Sequence, residues 1–440
     1  MNFEERLKSV IPGGAHTYSK GSDQFPSNAP QILVKGKGAY IYEPGGKKWL
    51  DYGMGLRSVV LGYANAAVIR SASREMRSGM SLTRPSIAEL AAAELIVDTI
   101  PSVEMVKFTK NGSTAVTAAL KLARGFTGRQ KVLVCRQHPF FSFDDWFIAS
   151  TGVTKGIPEN HRDEVIHFNY GDIEGLRMLL NENASEIAAI LLEPSAEMGP
   201  TIGKDSFSPS DNNFLTAVQA ECSARGVLLI LDEMITGFRL GFPGAQSRFG
   251  VTPDLTTFGK AIANGFPLAF VGGRRDIMEQ GSIDTPGQER LFLLSTTHGS
   301  ETASLGAMTS TLSQIREKKV TQYLESYGSH LILQANLLAS AHGLESHVNF
   351  FGAGASPYFS VRGENGEIDL PLRTLFAQEM AASNVLMPWI ALSHTHGPRE
   401  MKKTLEAMDK SMSVVRRAIS HGVENFLRGP SIKPVFRRYN

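Results

Sequence analysis

Apolar, β-branched runs alternate with longer helical patterns from about Ser86 to about Thr311. Ser86-Ile87-Ala88-Glu89 has the form of a capping box and opens an alanine-rich helix that stops near Pro101. Thr114 to Arg124 predicts a second helix, and Leu215 to Arg225 a third, with Gly226 placed to end it. Between them lie short apolar runs: Val106-Lys107-Phe108, Lys131 to Cys135, Ile187 to Leu192 and Val227 to Leu231. Their length and branched content predict strands. Strands alternating with helices imply parallel pairing through crossover helices, so this segment is expected to be α/β with a mostly parallel sheet.

The flanks break the alternation. The first sixty or so residues are rich in glycine and aromatic residues, with strand-like pieces at Ala39-Tyr40-Ile41-Tyr42 and Trp49-Leu50-Asp51-Tyr52. After about Ile315 the chain mixes helix, a hairpin-like stretch around Tyr358-Phe359-Ser360-Val361 and a final helical pattern from Arg399 to Leu427. A chain of 440 residues exceeds the usual domain size. The expected division is a large domain over 61–314 and a smaller α+β domain from 1–60 and 315–440.

Charge narrows the function classes. The net charge is +2, and no like-charge run is long enough for a polyanion-binding arm, so nucleic acid is not an expected partner. Met1-Asn2-Phe3-Glu4-Glu5-Arg6 has acids where a signal peptide is basic, and no stretch reaches membrane-spanning length. A cytoplasmic protein without membrane contact is expected. Cys135 and Cys222 are the only thiols and lack a metal-ligand spacing, so neither a disulfide framework nor a metal site is expected.

The chemistry concentrates in two places. Val227-Leu228-Leu229-Ile230-Leu231 ends in Asp232-Glu233; in open α/β sheets ligands sit at the carboxyl ends of the strands, which places Asp232 at a pocket. Downstream, Lys260 lies among Gly259, Ala261, Ala263 and Gly265, small residues that leave room for a ring to approach the backbone. A pyridoxal phosphate enzyme needs a lysine for the cofactor aldehyde and a carboxylate against the pyridinium nitrogen, and Lys260 and Asp232 fit those roles. An apolar strand ending in Asp-Glu also suits a P-loop ATPase. That class requires G-x-x-x-x-G-K-[ST], which is missing, since Gly259-Lys260 is followed by alanine. Asn111-Gly112-Ser113-Thr114-Ala115, between a strand and a helix, is a candidate phosphate cradle because helix N-terminal donors favour a dianion. The same residues also suit an ordinary helix cap.

Leu231-Asp232-Glu233-Met234-Ile235-Thr236-Gly237-Phe238-Arg239, the Gly259-Lys260 stretch and Ile11-Pro12-Gly13-Gly14 together resemble the class III aminotransferases, and within them the glutamate-1-semialdehyde 2,1-aminomutase branch. The resemblance runs from Ile11 to about Leu405. It implies a fold type I, pyridoxal 5'-phosphate-dependent homodimer with active sites at the subunit interface. Lys260 resembles the lysine that binds the cofactor, Asp232 the pyridinium partner, and Gly112, Ser113 and Thr114 the phosphate loop. Glu193, in Leu191-Leu192-Glu193-Pro194, matches a family acid near the ring; an ordinary strand-end charge is the alternative. Thr297 resembles the threonine that reaches the phosphate from the partner subunit, with Thr296 an alternative register.

The chain also departs from the pattern. Where the family has Tyr-His-Gly before an acid, it reads Phe140-Phe141-Ser142-Phe143-Asp144-Asp145-Trp146. Phe140 aligns with the aromatic that stacks on the ring, a task needing only a flat face; an aromatic cluster that is merely core is the alternative. Lys20 stands where the aminomutases have an arginine, and an ammonium cannot reproduce a bidentate fork. The segment from Pro388 to Ser393 is shorter than theirs and lacks its acid. The implied function is therefore an aminotransferase that moves an amino group from a small-molecule donor, with L-glutamate a candidate, to an aldehyde or ketone such as a sugar derivative. Intramolecular transfer by an aminomutase is the alternative, and a non-enzymatic cofactor-binding role is a third reading.

Overall fold

The computed structural model describes residues 2–439 except 139, 196, 202–205, 211 and 285. The chain forms two compact units, one from Met1–Asn65 with Gln322–Asn440 and the other Ala66–Thr321. The first opens on a helix, Phe3–Val10, and after a run of short turns carries three short strands, β1 (Lys35–Lys37), β2 (Tyr40–Tyr42) and β3 (Lys48–Asp51), paired antiparallel with Ile41 opposite Trp49.

The unit Ala66–Thr321 is built on seven strands: β4 (Met105–Thr109), β5 (Lys131–Cys135), β6 (Val165–Phe168), β7 (Ile187–Leu192), β8 (Leu228–Glu233), β9 (Leu255–Phe258) and β10 (Ala269–Gly273). Their order across the sheet is β4-β10-β9-β8-β7-β5-β6. Strands β5 to β9 pair in parallel. The central β7 and β8 are buried at every position, which requires cover on both faces and explains their unbroken apolar runs. β10 was not legible in the sequence, and it runs antiparallel to both β9 and β4. The connection from β9 is too short for the crossover helix that a parallel partner needs, so the chain reverses.

Helix Gly112–Thr127 buries Ala115, Val116, Ala119, Leu120, Leu122 and Ala123. Several of these share a core with Val132, Leu191, Ile230 and Val271 of the sheet. Asn111 caps its start, and Gly128 at φ 69° ends it. Helix Phe214–Arg225 opens on a reciprocal cap between Asn213 and Thr216 and closes on Gly226 at φ 61°. At Ile87–Thr99 the forward half of the expected capping box forms, Glu89 N donating to Ser86 Oγ at 3.1 Å.

Later in the first unit, β11 (Val348–Phe351) and β12 (Tyr358–Val361) make an antiparallel hairpin, and β13 (Val385–Leu386) joins β3 in parallel. The final helix is Pro398–His421, shorter than the pattern reaching Leu427, because Gly422 at φ 84° stops it and a separate turn, Val423–Asn425, follows. Among the described residues no helix is long and apolar enough to cross a membrane.

Candidate active site

Five connections leave the carboxyl edge of the large sheet carrying candidate side chains. Asp232 sits near the end of β8, 3% exposed. Met234 N donates to its Oδ1 at 2.9 Å and Thr257 Oγ1, from β9, donates to the same oxygen at 3.0 Å. Burial pushes the carboxyl up to about 6, against the lowering effect of the Lys260 charge and the two hydrogen bonds. Its neighbour Glu233 points to the opposite face of the strand. There Thr236 Oγ1, Ala245 N, Gln246 N and Gln246 Nε2 all donate to it, which makes it a structural brace.

Lys260 opens the 3-10 turn Lys260–Ala263 immediately after β9, and its φ is 41°. A non-glycine residue in the left-handed region costs roughly 1–2 kcal/mol. Glycine would relieve that strain. Ala261, Ile262 and Ala263 are buried, while Lys260 itself is partly exposed.

After β4, the Asn111 side chain accepts from Thr114 N at 2.8 Å and from Thr114 Oγ1 at 3.0 Å. The expected cradle is thus also a helix cap, and Thr114's donors face Asn111. Helix geometry still leaves the Gly112 and Ser113 amides without helical carbonyls. Ser113 Oγ accepts from Phe143 N at 3.1 Å, which ties the aromatic segment to this turn. That segment divides: Phe141, Trp146 and Phe147 are core, whereas Phe140 is 47% exposed with its ring edge-on to Phe147 at 6.1 Å. Trp146 Nε1 donates to Thr117 Oγ1 at 2.9 Å, anchoring the cluster to helix Gly112–Thr127.

Glu193 follows β7 and is 7% exposed; its amide donates to His138 Nδ1 at 3.0 Å. Thr296 and Thr297 are both exposed. No hydrogen bond among the described residues joins Thr297 to the other candidates. Lys20 belongs to the other unit, where it lines a cavity of about 640 Å³ together with Asp51, Tyr63 and Trp389.

Sequence reasoning missed Thr257, His138 and Met234. Met234 is wedged so that a Cβ on Gly112 would lie 2.9 Å from its sulfur, and one on Gly259 2.5 Å. The two glycines therefore serve contact between the cap, the end of β8 and the lysine turn. Glycine density around Lys260 was the available signal; that a methionine fills the gap was not.

An α/β sheet of this order, with a buried aspartate at a strand end, a lysine after the next strand and a donor-rich helix start, defines a fold type I pyridoxal phosphate-dependent transferase. The chain belongs to the class III aminotransferases: the family model described as Aminotransferase class-III matches residues 22–353. Among curated proteins it is 32% identical to the glutamate-1-semialdehyde 2,1-aminomutase of Alkaliphilus metalliredigens, covering 94% of this chain and 95% of that one. It is 30% identical to glutamate-1-semialdehyde 2,1-aminomutase 1 of Lachnoclostridium phytofermentans, over 94% and 98%. Among solved structures, the PLP internal aldimine form of the FumI protein of Sphingopyxis sp. MTA144 superposes with a TM-score of 0.83 at 25% identity, covering 95% of this chain and 96% of that one.

The residues present fit pyridoxal 5'-phosphate, the family's cofactor. Among the described residues both hydrogen bonds to Asp232 fall on Oδ1, so Oδ2 of this buried carboxyl is left for a pyridinium N–H. The turn Gly112-Ser113 presents amides suited to a phosphate.

Proposed function

We propose that this class III aminotransferase takes an amino group from a small amino donor, with L-glutamate the first candidate, and delivers it to an aldehyde or ketone such as a sugar derivative. Bound pyridoxal 5'-phosphate supplies an electron sink for the carbon that loses its proton. Lys260 Nζ is the group that would hold the cofactor, and as a free amine it would carry the proton to and from the reacting carbon. Asp232 would keep the ring nitrogen cationic, the Gly112 and Ser113 amides would hold the phosphate end while Thr114, expected in the same role, is engaged by Asn111, Phe140 would offer a ring face and Glu193 an acid beside it. Thr297 reaches the phosphate of a partner subunit in a homodimer. The observation that carries this reading is the buried Asp232 carboxyl within the electrostatic reach of Lys260.

The test is the visible spectrum of the cofactor-loaded protein before and after excess L-glutamate without an acceptor. Conversion to the aminated cofactor supports the first half-transfer; an unchanged band removes L-glutamate as donor. Intramolecular transfer is the second reading, favoured by the curated aminomutases at about 30% identity. It predicts that ¹⁵N introduced on the substrate stays on the same carbon skeleton.

A further inference from the structure

Glu193 lies just beyond the last ladder pairs of β7, in which Leu191 faces Val134 and Leu192 faces Leu231. Its amide has therefore left the sheet and needs another acceptor. His138, after β5, supplies one, with Nδ1 3.0 Å from Glu193 N. On the other side of Glu193, Tyr170 Oη donates to Pro194 O at 2.6 Å from the end of β6. Pro194 itself restricts the residue before it to extended backbone. Gln137 joins the two supports, its Oε1 accepting from Tyr170 N at 2.9 Å and from Cys135 Sγ at 3.4 Å.

His138 is an expensive acceptor. It is 2% exposed, with its ring between the edges of Phe141 and Tyr170. Accepting at Nδ1 leaves the hydrogen on Nε2, which has no partner among the described residues. A buried unpaired donor carries a desolvation cost that an apolar filler would avoid. Burial holds the imidazole down to about 3, so the acceptor persists across working pH. We propose that His138 and Tyr170 are positioning residues that clamp the Glu193-Pro194 backbone from both sides and thereby fix the Glu193 carboxylate relative to the cofactor ring. This rests on the placement of Glu193 near the ring proposed above.

Two measurements test the clamp. In the cofactor-free protein, His138→Ala is expected to speed hydrogen exchange at the Glu193 amide by about 10-fold or more, the loss of one hydrogen bond. His138→Asn, whose Oδ1 replaces Nδ1, restores protection. In the pyridoxal 5'-phosphate-loaded protein, the pH midpoint of the cofactor band reads the Glu193 charge without any substrate. Glu193→Gln is expected to lower that midpoint by about 1 pH unit. His138→Ala moves it in the same direction by less, and adds nothing in the Glu193→Gln background. Tyr170→Phe, which deletes only a hydroxyl, gives the same pattern and serves if His138→Ala does not fold. Unchanged exchange, or equal midpoint shifts in both backgrounds, overturns the clamp. A midpoint insensitive to Glu193→Gln with faster exchange in His138→Ala overturns instead the placement of Glu193 at the ring, and with it the clamp's purpose.

Discussion

Successive side chains of a strand face opposite ways, so the two acids at the end of β8 meet different surroundings. Among the described residues Glu233 receives four donors, whereas Asp232 receives two, both on one oxygen. The Asp232 carboxyl, at about 6, lies above the ordinary value of 3.8, so the folded cofactor-free protein binds that proton more tightly than the unfolded chain does. This stabilisation is full below about pH 4 and is lost as pH rises through 6. Asp232→Asn is therefore expected to stabilise the cofactor-free protein at pH 8 relative to the parent, by on the order of 3 kcal/mol, and not at pH 4. Urea unfolding at the two pH values checks this; an equal difference at both refutes it. In turnover the same substitution is expected to slow the enzyme by orders of magnitude through lost charge stabilisation. Lys260→Ala should keep the fold and abolish multiple turnover, and more than a trace of remaining activity removes the lysine from its role. Asp232 was legible as a candidate because it ends an apolar strand, and Lys260 because small residues surround it. His138 was not, since its partner Glu193 lies 55 residues away and nothing in either sequence context marks the pairing.

Several elements were read to the residue. β5 and β7 match the apolar runs Lys131 to Cys135 and Ile187 to Leu192, because strands buried on both faces leave continuous hydrophobic segments. β10 was missed, being Ala269-Phe270-Val271-Gly272-Gly273, short and with two glycines that depress strand propensity. The site also depends on how closely elements approach. Gly112 and Gly259 press on the same Met234 sulfur, so Gly112→Ala and Gly259→Ala should each cost about 1–3 kcal/mol, as over-packing does. Together they should cost less than the sum, since one displacement of Met234 relieves both. Urea midpoints of the two single variants and the double variant decide the matter, and strict additivity would show that the sulfur is not the shared obstacle.

For the molecule as a whole, the proposed homodimer has a sharp consequence through Thr297, which is exposed on its own chain. If it serves the partner's phosphate, mixing Lys260→Ala chains with Thr297→Ala chains yields heterodimers with one intact site. Activity should rise on mixing and refolding above that of either variant alone; no rise argues that Thr297 acts within its own subunit or not at all. Another consequence lies in the edge of the large sheet. β4, which leads into the Asn111 cap, has β10 as its one ladder neighbour among the described residues, with Phe108 opposite Phe270. During synthesis the chain emerges from its N-terminus, and this pairing closes one of the longest loops in the sheet, a slow and entropically costly step. The turn proposed to hold the phosphate is thus expected to be among the last features set in place. A nascent chain that has not yet delivered β10 leaves the proposed cradle unsupported, so cofactor capture is expected to follow translation of most of the large unit rather than guide it.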